Sequence, residues 1–295
     1  MHKRFSRMLL FLCLLLLPLH GLCETVTASF FPIYLFARNL TDGIEEITVH
    51  SLAERQTGCL HDYQLTSGDL KALSGSDLFL INGAGMESYL DMVFDAFPDL
   101  PVTDASSGVE LLPSETGETE WNAHIWLDPQ QAMQMVRNLA QGLIAAFPQH
   151  EVAISENLES YLASLQALDE NLSSAISPLP RRSIVTFHEA FPYFARRYDL
   201  DVVAVIALEP DEALSTRQTA ELVRLVKSSG NPPLFTEPQY TDLPARVISR
   251  ETGAPVYELD PCVTGPEGDI PLDWYQQVME KNLLVLQESL GDGES

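Results

Sequence analysis

The chain has 295 residues, with 42 Asp and Glu against 17 Lys and Arg, and a formal net charge of −25 at pH 7. Such a balance makes nucleic acid and anionic membrane surfaces poor partners and draws cations instead. Solubility of an exported protein accounts for the same charge, so it permits a cation-binding role without requiring one.

The opening stretch, MHKRFSRMLLFLCLLLLPLHGLCETVTASF, sets Lys3, Arg4 and Arg7 ahead of an apolar run from Met8 to about Leu19. That is the pattern of a secretory signal, too short and wrongly flanked for a spanning helix. Gly21 and Cys23 occupy the −3 and −1 positions for cleavage before Glu24, so residues 1–23 are expected to leave as a signal peptide. The rival reading makes Cys23 a lipidated N-terminus on a cell-surface protein, but Leu22 is bulkier than lipoprotein processing usually accepts. Cleavage takes the formal charge from −25 to −28 by removing three basic residues. No later stretch offers the ~20 consecutive apolar residues a membrane span needs. The expectation is therefore a soluble, periplasmic monomer with enough chain for two lobes.

From Glu24 onward, apolar β-branched runs alternate with longer amphipathic ones, which predicts βαβ units and an α/β fold with largely parallel sheets. Strands are expected at 25–31, 46–52, 77–82 and 101–105, with helices starting at Pro32, Thr66 and Met86. The polar, acidic, aperiodic stretch 106–122 reads as a surface loop. Asp128 as N-cap and Pro129 at the first helical position open a helix over 128–147, its apolar face set by Met133, Val136, Leu139, Leu143 and Ile144. A second helix over 151–176 is about seven turns long and carries a stripe of Leu158, Tyr161, Leu162, Leu165 and Leu168. It ends at SPLPRR, where two prolines forbid continuation. A second set of strands follows at 183–188, 201–208, 233–238 and 254–260, with helices near 190–198, 215–229, 241–251 and 271–290. The layout is a first lobe over 24–147, a stiff connecting helix over 148–178 and a second lobe over 179–295.

Seven histidines are present, and their positions separate them. His2 and His20 lie in the signal segment, His50 sits mid-strand, and His150 lies in a polar helix-initiating stretch. His61, His124 and His188 instead occupy loops near strand ends or helix starts, and Asp260 ends its strand. Ligands of open parallel sheets bind outside the carboxyl ends of the strands. Three imidazoles and a carboxylate would make a tetrahedral shell for a divalent ion. The gaps of 63, 64 and 72 residues match no short metal motif, so a structural role for each histidine stays open on spacing alone.

Catalytic motifs are missing. HEAFPY (188–193) starts like a zinc-protease pair but has no histidine at the fourth following position, G-x-S-x-G does not occur, and GAG (83–85) lacks the rest of a nucleotide loop. A closed four-ligand shell would leave no position for a reacting water, so no catalytic residue is expected.

Six ordered blocks then make the chain recognisable: VTASFFPIYLFARNL, HDYQLTSGDLKALSGSDLFLINGAGMESYL, HIWLDPQQA, TFHEAFPYFARRYDL, FTEPQY and VYELDP. The sequence resembles the substrate-binding proteins of zinc and manganese ABC transporters, the ZnuA/TroA-like family, over essentially the whole mature chain. The resemblance implies two α/β lobes joined by a long helix, with His61, His124, His188 and Asp260 as metal ligands between them. It further implies delivery of the ion to a membrane permease driven by an ATPase. Imidazole as majority ligand suits zinc; manganese, which favours harder ligands, is the alternative. An exported metal-dependent hydrolase and an adhesin on the same scaffold are readings from other classes. Glu237 matches a family position near the site, either as a carboxylate behind a ligand or as a surface residue at a strand end. The 106–122 stretch lacks the histidines that many zinc-specific members carry, leaving Glu110, Glu115, Glu118 and Glu120 as weak cation collectors. Cys59 and Cys262 flank two of the implied ligands at two-residue distance, so a Cys59–Cys262 disulfide across the lobes is expected. The continuous connecting helix implies small lobe movements rather than wide hinge closure.

Overall fold

A computed structural model describes residues 23–53, 60, 63–115, 119–207, 214–266 and 268–291. The expected signal peptide up to residue 22, and Cys59, His61 and Asp62, lie outside these residues. The first lobe holds β1 (Glu24–Ala28), β2 (Ile47–Ser51), β3 (Leu78–Ile81) and β4 (Val102–Asp104) in the order β2-β1-β3-β4, all parallel. The second lobe repeats the pattern with β5 (Ser183–Thr186), β6 (Asp201–Val205), β7 (Leu234–Thr236) and β8 (Val256–Glu258) in the order β6-β5-β7-β8, again all parallel. All four residues of β3 are buried, as expected where helices cover both faces of a parallel sheet.

In the first lobe, α1 (Phe31–Leu40), α2 (Ser67–Ser74) and α3 (Leu90–Ala96) link the strands. In the second, α6 (Pro192–Tyr198), α7 (Thr216–Ser228), α8 (Leu243–Thr252) and the terminal α9 (Trp274–Leu290) play the same part. Thr66 with Asp69 and Ser215 with Gln218 form reciprocal capping boxes at α2 and α7, which satisfy N–H groups left without helical partners. In the first lobe α4 (Pro129–Ala146), capped by Asp128 through the Gln130 N–H, packs against α5 (Glu151–Ile176), which is 26 residues and roughly 39 Å long and runs between the lobes. Ile154, Tyr161, Leu165, Leu168, Leu172 and Ile176 form the buried stripe of α5. One hydrophobic core runs through both lobes and along α5, while a smaller one, including Val185, Val226, Leu234 and Ile248, lies under α7 and α8. Among the described residues no helix is long and apolar enough to cross a membrane.

Two local expectations change. The helix expected from Met86 starts at Leu90, because the Glu87 carboxylate turns back to accept the Asn82 N–H at 2.7 Å and the Gly83 N–H at 3.1 Å. Residues 83–85 all have positive φ, and a Cβ at Gly83 would come within 1.9 Å of Asp104 Oδ1, so only glycine fits there. The 106–122 stretch is more than a surface loop. Its described arms pair antiparallel, with a bridge between Pro113 and Trp121 and the Asn122 N–H donating to the Leu112 carbonyl at 2.8 Å. Both arms then dock on the second lobe.

Candidate metal centre

The β6-β5-β7-β8 order makes β5 and β7 neighbours whose crossovers leave in opposite directions. Ligands of open α/β sheets bind at the carboxyl ends of such strands. His188 lies two residues past β5 and Glu237 directly follows β7, so the topology itself puts the two side chains together. His188 Nδ1 and Glu237 Oε1 are 2.5 Å apart, and both residues are buried. The other carboxylate oxygen, Oε2, accepts from Gln239 Nε2 at 2.8 Å. Glu237 is therefore no surface residue at a strand end; it is the acceptor that orients His188. The Tyr240 ring meets His188 edge-on at 5.7 Å and stacks on Phe187 at 5.5 Å, walling this side.

His124 arrives from the other lobe at the start of a single 3-10 turn, Ile125–Leu127, that leads into α4. The Asn122 side-chain oxygen accepts from the His124 backbone N–H at 3.0 Å and faces its Nδ1 at 3.2 Å. With both Nδ1 atoms donating, each ring turns the Nε2 lone pair inward, and the two Nε2 atoms lie 3.2 Å apart. Two acceptor nitrogens this close repel unless a proton or a cation lies between them. For metal–nitrogen bonds of about 2.0–2.1 Å, that separation corresponds to a ligand–metal–ligand angle of roughly 100°, near the tetrahedral value. The geometry thus suits one divalent ion held by two imidazoles.

Asp260 follows β8 by two residues. Asn282 of α9 clamps its backbone, donating to the Asp260 carbonyl at 2.7 Å and accepting its N–H at 2.9 Å. Burial pushes the Asp260 carboxyl above its usual range and the negative charges of Glu258 and Glu237 add to this, while the Cys262 N–H and Lys281 oppose it. A carboxylate held in this way gains from a nearby cation. Among the described residues no group of three or more His, Cys, Asp or Glu side chains is gathered for a metal; the structure joins His124 to His188, places Asp260 at the end of a neighbouring strand, and leaves His61 outside the described residues. Cys262 carries a free, fully buried thiol, so the expected bridge to Cys59 is not formed at its described end. The remaining described histidines lie elsewhere: His50 is exposed on β2, and His150 pairs with Glu24 at 3.1 Å.

Trp126 was not singled out by sequence reasoning, yet it ties the His124 turn to the Asp260 loop. It is fully buried beside His124, its Nε1 donates to the Pro261 carbonyl at 2.7 Å, and its own carbonyl accepts from the Tyr275 hydroxyl at 2.6 Å. Asn122, Glu189 and Gln239 were missed as well. Each lies within two residues of a recognised position, the only signal they carry.

The family model described as the periplasmic component A of a zinc-uptake complex matches residues 26–289. The zinc-binding lipoprotein AdcA of Streptococcus pneumoniae serotype 4 is 26% identical over 309 residues, covering 97% of this chain. The chain spans 61% of the length of that relative. The iron-binding protein YfeA of Yersinia pestis is 28% identical over 219 residues, covering 72% of this chain and 70% of its own length. The crystal structure of Zn(II)-bound AdcA from Streptococcus pneumoniae superposes with a TM-score of 0.78 at 27% identity, covering 90% of this chain and 57% of the other. With the model spanning nearly the whole described chain and a bihistidine centre between two like lobes, this protein belongs to the ZnuA family of zinc-uptake components.

Proposed function

We propose that this protein is an extracytoplasmic solute-binding protein that captures a divalent transition metal, zinc before manganese, and hands it to the membrane permease of an ABC transporter. The observation that carries this reading is the approach of His124 and His188 from opposite lobes, Nε2 to Nε2 at 3.2 Å, each with its other nitrogen at an oxygen acceptor. Acceptors of this kind fix the tautomer and raise the basicity of metal-ligating histidines. His61 and Asp260 complete the shell, with His61 and His124 supplied by the unit 24–147, His188 and Asp260 by 179–295, and the helix at 148–178 between them. Three neutral imidazoles and one carboxylate favour zinc over the harder manganese ion. A shell closed by four side chains has no position for a reacting water, which favours carriage over catalysis. The reading includes export to the periplasm after loss of residues 1–23 and action as a monomer.

Competitive loading with zinc, manganese and iron at buffered free-ion concentrations tests it. Wild type should load zinc stoichiometrically, and His61→Ala, His124→Ala, His188→Ala and Asp260→Ala should each load it more weakly. Wild-type zinc loading by all four variants would refute the site, and preferential loading of manganese at buffered physiological activities would reassign the cargo.

A further inference from the structure

Glu189, the residue after His188, is buried at 4% exposure although the charge of the protein is strongly negative. Burying a carboxylate is costly unless its oxygens are well supplied with donors. The donors here come from the other lobe: Glu189 Oε1 accepts the Glu115 N–H at 2.8 Å and Oε2 accepts the Ser114 hydroxyl at 3.0 Å. The Glu189 backbone carbonyl accepts from Asn122 Nδ2 at 2.8 Å, and the Asn122 oxygen in turn holds His124. Tyr193, one turn further along, accepts the Leu112 N–H at 2.9 Å and donates to the Asn122 carbonyl at 2.9 Å. Both arms of the 112–122 hairpin are thus fastened to the segment that bears His188. The fastening crosses the lobe boundary beside the two imidazoles and reaches the His124 ring only through Asn122, whose oxygen faces its Nδ1.

We propose that Glu189 is a positioning residue that controls metal release, by locking the loops of His124 and His188 into one unit. The inference rests on the metal-binding reading of these histidines. With the lock closed, the two imidazoles cannot part, and an ion held by both leaves only when the hairpin lifts from Glu189. On this account the two arms are a fastened strap, held through the Leu112 and Glu115 N–H groups, the Ser114 hydroxyl and Asn122.

The test is stopped-flow transfer of zinc from loaded full-length mature protein to an excess of chelator, with association measured separately. Glu189→Ala should release zinc faster by about tenfold or more, the range found when groups behind metal ligands are removed, with an unchanged association rate. Glu189→Gln, which keeps one acceptor oxygen, should fall between that variant and wild type, and Ser114→Ala should give a smaller rise. Amide exchange at Leu112 and Glu115 should speed up in the Glu189 variants with and without zinc, which a general loss of stability would not confine to these two positions. Should Glu189→Ala fail to fold, the other two variants decide. Wild-type release rates in Glu189→Gln and Ser114→Ala overturn the inference while zinc binding stands. Failure of the wild type itself to bind zinc overturns the reading of the site, and this inference with it.

Discussion

Replacing Glu237 by Gln removes one charge and almost no volume, which makes it the cleanest probe of the centre. In the wild type, Glu237 Oε1 lies 2.5 Å from His188 Nδ1 and Oε2 accepts from Gln239 Nε2. Gln239 Oε1 is buried without a hydrogen-bond partner among the described residues. A half-turn of the Gln239 amide would therefore present that oxygen to the new amide of the variant, and the fold should lose little. The metal should lose more. In the proposed shell, zinc with three imidazoles and one carboxylate would keep a net charge of +1, and the buried Glu237 carboxylate at His188 would offset the remainder. Removing a partner of this kind costs about 10–100-fold in metal affinity, or roughly 1.4–2.7 kcal/mol. Competition against a chromophoric chelator at buffered free zinc measures the affinity, and melting of the metal-free variant controls for folding. An affinity within about threefold of wild type, with the melting point unchanged, would refute the view that the carboxylate supports His188 as a ligand.

The other predictions concern the frame around the site. Asp169 on α5 accepts from Arg197 Nε at 2.9 Å and again from Nη2, from Gln130 at 2.7 Å and from the Tyr198 hydroxyl at 3.0 Å. Burial would raise its pKa, but these hydrogen bonds, led by that of Arg197, hold it below the usual carboxylate range. Its contribution to stability is thus present above about pH 4 and lost as the pH falls through the lower native value. Asp169→Asn should lower stability by about 2 kcal/mol at pH 7, less than for a wholly buried pair because Arg197 keeps 34% exposure, and the gap to wild type should close in acid. Burial, above all, raises the Glu87 carboxyl to about 7, so its stabilising protonated form is complete below about pH 4.5 and lost as the pH rises through 7. Urea denaturation between pH 5 and 8 should show wild type losing stability relative to Glu87→Gln. Trp126→Phe leaves the Pro261 carbonyl without its donor and should cost about 1–3 kcal/mol, while abolishing most of the zinc-induced change in tryptophan fluorescence. Thiol titration of the unreduced protein should find Cys262 reactive only in denaturant, because its free thiol is fully buried.

The fold was legible because its signals are local and repeated. Apolar, β-branched runs became the strands, and Asp128 with Pro129 opened α4 at the expected residue. His124 and His188 stood out by their positions at element ends, and Glu237 only through the family block FTEPQY, since its place after a strand suited a surface residue equally well. What failed depends on partners far away in the chain. Glu87 delays α3 through two backbone N–H groups that no periodicity encodes. The 112–122 hairpin is stabilised chiefly by Glu189 and Tyr193, 67 to 81 residues distant, so its acidic composition read as loop. Trp126 looked like one more apolar residue before a helix, and only its donation to Pro261, 135 residues on, gives it a role at the site.

These long-range bonds also bear on how far the lobes can move. A hinge needs a stretch of backbone whose dihedrals can change without breaking buried contacts. Three attachments cross the boundary instead: the arms at 112–115 and 119–122 on Glu189 and Tyr193, Trp126 on Pro261 and Tyr275, and Asp128 on Arg197 of α6 at 4.0 Å. Two of them start within two residues of His124, so that histidine moves with the second lobe as much as with its own. Wide opening would break all three and part a core shared by both lobes. The less costly route for an ion is local: the arms at 112–115 and 119–122 can lift from Glu189 and free the His124 turn while the lobes stay in place. Metal-free and loaded crystals should then differ by loop displacement with small lobe rotation, and a large rotation would show that the cross-lobe bonds are too weak to govern the motion.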